Sequence, residues 1–449
     1  MDPQRARPRQ LDALHEALDS GAVEQVRILV NALHPGEIAD LLEALRPTLR
    51  QVVWGLVDTE DEGDVLVALN EEVRATLIQE MDSGELVAAA AGLELDDLAD
   101  LLTELPDTVN QEVLKSLDQS DLDRLEAVLS YSEDSAGGLM DPDSLTVRSD
   151  VTIKVVFRYL RMRREIPAGS DAIFVVSRQG EYQGCLFITA LLTANLEQKV
   201  GSLMDTQIRA IEATTTAAEV ALIFETHDLV SAAVVDEAGM LLGRITIDDV
   251  VDVIRHEADH SLLSMAGLDE DDDMFAPVFV STKRRSIWLG VNLATAFIAA
   301  GVAGFFEATL ERVVMLAILM PVVPSMGGIA GNQTLILITR GIALGQVESS
   351  NVRWLLRKEF GIGLLNGLIW ACVVAGVTMW WFQTWRIALV IAIALAINLI
   401  CAAVAGFTIP LTLKKLNIDP ALAGGVVLTT ITDVVGLVAF LGFGALLLL

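Results

Sequence analysis

Between residues 286 and 448 the chain runs through five apolar stretches, at roughly 286–306, 313–338, 360–381, 387–411 and 421–448, each near the about 20 residues a helix needs to cross hydrocarbon. That limits the back of the chain to a bundle of membrane spans. Charge divides the chain at the same place. Residues 281–449 hold six acids and eleven bases, whereas the first 280 residues hold 55 acids and 20 bases, a net of −35. A front this acidic excludes a nucleic-acid partner, because phosphate attraction needs a basic face. Three scattered cysteines, Cys185, Cys372 and Cys401, make neither a disulfide framework nor a metal spacing. The opening residues lack the apolar core of a secretory signal, so the acidic front is expected in the cytoplasm. With that orientation nine bases flank the spans inside: Lys283, Arg284, Arg285, Arg340, Arg353, Arg357, Lys358, Lys414 and Lys415. Only Arg312 and Arg386 lie outside. This bias follows the positive-inside rule and sends the C-terminus outside.

Two spans carry chemistry. The second contains Pro321-Val-Val-Pro-Ser-Met-Gly-Gly-Ile-Ala-Gly-Asn-Gln-Thr334. Its prolines and glycines predict a broken helix, and its Ser, Asn and Gln predict a polar lining, tolerated only against protein or a wet cavity. A Gly-rich packing face is the plainer alternative. The fifth span contains Thr429-Thr-Ile-Thr-Asp433, an ionisable group at membrane depth, which by default marks function. No Lys, Arg or His lies inside a span to neutralise Asp433. All five histidines, His15, His34, His227, His256 and His260, lie in the front half. A carboxylate among neutral oxygens suits a hard cation, and Mg²⁺, which keeps most of its waters, suits it best. Five spans make a thin wall, so a symmetric homodimer is expected to bring two copies of Asp433 to one axis.

The front half has two textures. Up to residue 135 it is rich in Leu, Ala, Asp and Glu at helical spacing. Ile38, Leu41, Leu42 and Leu45 recur at i, i+3, i+4, i+7, as do Leu98, Leu101, Leu102 and Leu105. IADLLEALRP at 38–47 echoes LADLLTELPD at 98–107, which predicts a stack of helical repeats from about residue 10. Asp96 and Asp100 share one helix face and could share an ion. From 138 to 260 strands alternate with helices, again in two copies. LMDPDSLTVRSD at 139–150 matches LMDTQIRAIEAT at 203–214, and the strand pair at 172–188 matches the pair at 231–247. Gly180 with Gly184, and Gly239 with Gly243, are expected to close the two hairpins. The acidic run 248–268 then leads to the first span.

The doubled β-α-β-β-α pattern resembles a tandem pair of CBS domains, discs that often bind adenosine nucleotides. The ribose-contacting Ser/Thr-x-x-Asp pattern is present at Thr246 and Asp249. The first copy has Thr189 and Leu192 there and lacks the acid, so ATP or another adenosine nucleotide at this pair stays an open alternative. The whole order resembles the MgtE family of magnesium channels, most specifically at 321–334, at DPA 419–421 and at Asp433. The resemblance implies a multidomain membrane protein. Its parts are an acidic helical-repeat N-domain (1–135), CBS domain 1 (136–200), CBS domain 2 (201–258), a connecting or plug helix (259–284) and a five-helix transmembrane pore domain (285–449). It also implies a homodimer in the lipid of the cell membrane. Asp433 holds the permeating Mg²⁺, with Gly328, Asn332 and Thr429 on the same passage. Regulatory Mg²⁺ binds Asp249, Asp252, Glu257 and Asp419 near the connecting helix, and Asp96 and Asp100 on the repeat, joined by Asp228 and Asp64. Four positions depart from the family pattern: Ile329 for Asn, Val426 for Pro, and His260-Ser261 for Glu-Asp.

These residues point to a Mg²⁺ channel that Mg²⁺ itself closes. Mutual repulsion splays the acidic front at low Mg²⁺ and bridging ions draw it together. A secondary transporter coupling a divalent cation to H⁺ or Na⁺ competes with this reading, although the five spans show no inverted repeat. A nucleotide sensor merely anchored in the membrane leaves Asp433 without a role. The chain has no nucleophile–base pair, phosphate loop or redox motif, so an enzyme is not expected.

Overall fold

The structure is a computed structural model that describes residues 22–163, 166–167, 169–268, 273–416 and 418–449. His15 and the expected start of the helical repeat lie outside the described residues. The chain forms two compact units. The first holds the residues up to Glu257 with a short return segment, Asp271–Ala276. The second holds Ala258–Glu270 and Pro277–Leu449.

The first unit opens with short helices, from Val23–Val30 to Gln119–Leu129. Several begin at a defined N-terminal signal. Pro35 and Pro47 sit at first positions, where their missing N–H costs nothing, and Asn70, Asp82 and Asp118 accept from the first-turn backbone. Both leucine stripes face inward. Ile38, Leu41, Leu42 and Leu45, and Leu98, Leu101, Leu102 and Leu105, are all buried in a core that continues through Phe224, Val234 and Ile245 of the second β copy. Each β copy is a three-stranded sheet in sequence order. Strands β1 (Thr146–Arg148) and β2 (Ala172–Val176) run parallel, and β3 (Tyr182–Phe187) is antiparallel to β2. Strands β4 (Ile211–Glu212), β5 (Ser231–Val235) and β6 (Leu241–Thr246) repeat the pattern.

The glycine pairs divide their labour differently from the expectation. Gly180 (φ 95°) and Gly239 (φ 80°) do form the turns. Gly184 and Gly243 lie inside β3 and β6, opposite Val175 and Val234 at a bulge. There they make room for backbone. A Cβ on Gly184 would lie 2.4 Å from the Asp205 carbonyl oxygen, and one on Gly243 would lie 2.6 Å from that of Asp141. Each hairpin thus receives the Leu-Met-Asp segment that opens the other copy, which is why that tripeptide recurs.

The connecting helix is Ile247–Ser264, displaced toward the N-terminus from the expected 259–284. Gly267 (φ 70°) takes a conformation that favours glycine, and Pro277 caps the next helix, so no helix runs through. Among the described residues of the second unit five helices are long and apolar enough to span a membrane: Val278–Gly304, a second composed of Val314–Leu319 and Val322–Ala343, Val352–Phe382, Trp385–Lys415 and Pro420–Leu448. Most outrun the apolar stretches because the helices carry their basic flanks. The fourth is the most buried and packs against the second, third and fifth; the first packs on the fifth.

Candidate metal sites

The first unit gathers carboxylates where the helical repeat meets the second β copy. Asp96, on the helix Leu95–Glu104, is 8% exposed, and its Oδ1 has no hydrogen-bond partner among the described residues. Burial, with Asp97, Asp249 and Asp141 nearby, pushes its carboxyl up to about 8. Asp97 rises to about 7 by burial and then by Asp249, Glu94, Asp100 and Asp64. Asp249, at the start of the connecting helix, rises to about 6 by burial, although Thr246 opposes this by hydrogen bonding. Asp100 rises to about 6 through desolvation first, then Glu133. Asp64 and Asp252 are raised for the same first reason. Burial and mutual repulsion thus disfavour the charged form of each of these carboxylates, a cost that a bound cation or a proton would relieve. Among the described residues no three carboxylates or histidines converge on one ion position.

Asp96, Asp100, Asp249, Asp252 and Asp64 therefore lie within electrostatic reach of one cluster. Asp228 does not join it: this residue caps the helix Ala217–His227 in the left-handed region (φ 52°), exposed. Glu257 is exposed two turns along the connecting helix from Asp249. In the second unit, Asp419 caps the fifth span by accepting from the N–H groups of Ala421 and Leu422. Its Oδ2 lies 3.3 Å from His260 Nε2. The ribose-type pair is closed on itself. Asp249 Oδ2 accepts from the backbone N–H of Thr246 at 3.2 Å and from its hydroxyl at 2.8 Å, so the pair also starts the connecting helix.

In the second span the break is confined to Met320 and Pro321. The stretch from Val322 onward, including Pro324, Gly327 and Gly328, is helical. Pro321 is the N-cap and Pro324 falls in the first turn, where a backbone N–H would have no intrahelical acceptor anyway. The glycines serve close approach, as the packing alternative held. A Cβ on Gly327 would lie 2.2 Å from Asn398 Nδ2, and one on Gly331 would lie 2.9 Å from Leu428. A Cβ on Gly328 would lie 3.9 Å from Thr429, so these two expected pore residues face each other. Asn332 and Asp433 each lie one turn further along. The second and fifth spans run antiparallel, because Leu335 meets Gly424 and Val323 meets Gly436. That register puts Asp433 level with Ser325 and Asn332 level with Val426, about 10 Å apart along the axis at 1.5 Å per residue. Gly328, Asn332, Thr429 and Asp433 are all half-buried. Among the described residues Asp433 has no hydrogen-bond or ionic partner.

Four residues escaped the sequence reading. Asp97 and Glu94 belong to the cluster, the latter raised by burial and then Asp141. Their neighbours at 96 and 100 drew attention through helical spacing alone. Glu359 looks like part of the basic inside flank, yet it is 3% exposed and accepts from the hydroxyl of Thr334 on the second span at 3.1 Å. Asn398, the lone amide in the fourth apolar run, is fully buried. That isolation was the available signal.

Residues 320–443 match the MgtE family described as divalent cation transporters, residues 33–134 the MgtE intracellular N domain, and residues 200–256 the CBS domain. The chain is 31% identical to the magnesium transporter MgtE of Thermus thermophilus, over 97% of this chain and 98% of that protein. It is 27% identical to the magnesium transporter MgtE of Bacillus subtilis, over 95% and 94%. Among solved structures it resembles the cytosolic domain of the Mg²⁺ channel MgtE in complex with ATP, with a TM-score of 0.49 and 32% identity over 54% of this chain and 99% of that one. It also resembles the soluble part of a magnesium transporter, with a TM-score of 0.47 and 20% identity over 56% and 99%.

Proposed function

We propose, for a chain that belongs to the MgtE family of magnesium transporters and is a multi-pass membrane protein, that it is a Mg²⁺-selective channel for uptake, closed by Mg²⁺ on its cytoplasmic acids. The observation that carries the transport reading is Asp433, an unpaired carboxylate on a half-buried face that also presents Thr429 to Gly328. A charge there, without a basic partner, attracts a hydrated divalent ion and holds it through water. The working unit is a homodimer in the cell membrane, with the acidic parts cytoplasmic and the C-terminus outside. A second copy supplies the other wall of the passage, since within one chain this face is only partly covered. We divide the chain into working parts near residues 135, 200, 258 and 284.

For gating, the support is the cluster of Asp64, Asp96, Asp97, Asp100, Asp249 and Asp252. Its carboxylates are raised together by burial and mutual repulsion. Divalent ions relieve that repulsion and favour the gathered arrangement; their loss favours a splayed one. Asp249 starts the connecting helix, so the cluster pulls on the element that leads toward the membrane. Glu257, Asp228 and Asp419 complete the regulatory set in this reading. Thr246 and Asp249 also offer an adenosine nucleotide a ribose contact at the second CBS copy, which ATP calorimetry on wild type and Thr246→Val tests.

Mg²⁺ uptake into proteoliposomes, with wild type beside Asp433→Ala, tests the transport reading. Uptake should be lost while the protein remains folded. Single-channel currents distinguish a channel from a transporter coupled to H⁺ or Na⁺. A variant that carries Mg²⁺ at the wild-type rate sinks the assignment of Asp433.

A further inference from the structure

The fourth span reads ALVIAIALAINLICAAVAGF from residue 388, and Asn398 is the one amide, hydroxyl or charged side chain in that stretch. The amide is fully buried. Its Nδ2 donates to the Val323 carbonyl at 2.8 Å, and its Oδ1 has no partner among the described residues. The same amide lies over two glycines on two other spans. A Cβ on Gly327 of the second span would lie 2.2 Å from Nδ2, and a Cβ on Gly436 of the fifth would lie 2.9 Å from it. Gly327 precedes Gly328, and Gly436 follows Asp433 by about one turn.

A leucine, with the same number and branching of side-chain heavy atoms, would occupy this place without stranding an oxygen at membrane depth, so packing alone does not call for an amide. The bond goes to the first turn of the second span's restarted helix. Its helix restarts at Val322 after the break at Met320–Pro321, and Pro324 brings no N–H to the first turn. We infer that Asn398 is a positioning residue for ion passage: tied to the backbone of the second span and wedged against the fifth, it sets the separation of the Gly328–Asn332 wall from the Thr429–Asp433 wall. This rests on the reading of those two spans as the walls. Being fully buried, Asn398 acts through the helices and not on the ion.

The full-length protein in proteoliposomes tests it, with Mg²⁺, Ni²⁺ and Co²⁺ uptake measured beside thermal unfolding. Asn398→Leu should melt at the wild-type temperature or above, yet lose about tenfold or more in Mg²⁺ uptake and change the Mg²⁺ to Ni²⁺ ratio, as small misplacements at a site do. Gly327→Ala should also lose transport, because its methyl collides with the amide. Adding Asn398→Ala should restore part of it, a non-additive result expected only of touching residues. Wild-type uptake and ion ratio in Asn398→Leu overturn the inference. So does a double variant whose loss is the product of the losses of Asn398→Ala and Gly327→Ala alone, which decides the matter even where Asn398→Leu does not fold. Asp433→Ala in the same assay separates the two levels. An active Asp433→Ala defeats the wall reading itself, whereas an inactive one beside a fully active Asn398→Leu defeats only the positioning role.

Discussion

Replacing Asp96 by Asn should stabilise the metal-free soluble part and weaken its response to Mg²⁺. The Asp96 carboxyl is raised from 3.8 to about 8, chiefly by burial. Its folded value lies above its unfolded value, so folding takes up a proton. Wild-type stability therefore falls as pH rises from about 4 to about 8 and levels off above. Each pH step of one within that window costs about 1.4 kcal/mol, and pH 7 lies roughly three such steps above its lower edge. Allowing half for local relaxation and water leaves about 2 kcal/mol at pH 7. The Asn variant escapes that loss, so its advantage should grow with pH between 5 and 8 and then stop growing. Ions reverse the comparison. At 100 times its dissociation constant, Mg²⁺ adds about 2.7 kcal/mol to a protein that binds it only when folded. The variant, one carboxylate short, should gain less, and wild-type binding at pH 7 should release protons. A fragment ending at residue 276 keeps the return segment, whose Asp273 pairs with buried Arg50 at 2.9 Å. Its unfolding at several pH values, with Mg²⁺ or chelator, reads all of this. A metal-free Asp96→Asn fragment no more stable than wild type at pH 8 would refute the premise of an unmatched buried carboxylate.

Further outcomes follow from the same residues. In a background without Cys185, Cys372 and Cys401, Gln383→Cys should label from outside the cell and Ser349→Cys only from inside; the opposite pattern would invert the topology. Neutralising Asp249, Asp252 and Glu257 together should leave the channel conducting at Mg²⁺ concentrations that close the wild type, measured as current in patches. Closure at the wild-type concentration would move control to Asp96, Asp97 and Asp100.

Much of the fold was legible because it rests on periodicity and charge. Leucines at i, i+3, i+4, i+7 reported the buried stripes, and the apolar runs reported the long helices of the second unit. What stayed hidden depends on neighbours. In PVVPSMGGIAGNQT, proline and glycine signal a break, but a glycine accepted into a helix by close neighbours has the same letter as one that ends it. Gly327 and Gly331 are of the first kind because Asn398 and Leu428 fill the space their side chains would take. Glu359 beside Lys358 reads as a solvated flank, and only the third dimension turns it toward Thr334. The acid cluster was half legible. Spacing marked Asp96 and Asp100 as one face, while Asp97 entered through its approach to Asp249, which belongs to another domain.

The antiparallel register gives the departures from the family pattern a place. Asp433 is level with Ser325, and Asn332 is level with Val426, so the passage proposed above would have two polar levels about 10 Å apart. Val426 lies at the Asn332 level. Ile329 lies one turn from Ser325 and three residues before Asn332; it is 58% exposed within one chain. Both departures thus leave the Asp433 level intact; Ile329 puts an apolar side chain where the family has an amide, whereas Val426 exchanges one apolar side chain for another. A hydrated Mg²⁺ crossing there meets fewer oxygens for its water shell. Ile329→Asn, which restores the family residue, should raise Mg²⁺ uptake relative to Co²⁺. One added water-mediated hydrogen bond of about 0.6 kcal/mol corresponds to roughly threefold. Folding should suffer little, because the side chain is not part of a core. Competition uptake of the two ions into proteoliposomes measures the ratio. A ratio unchanged in Ile329→Asn, in a protein whose Asp433→Ala derivative is inactive, would show that discrimination is set at the carboxylate level alone.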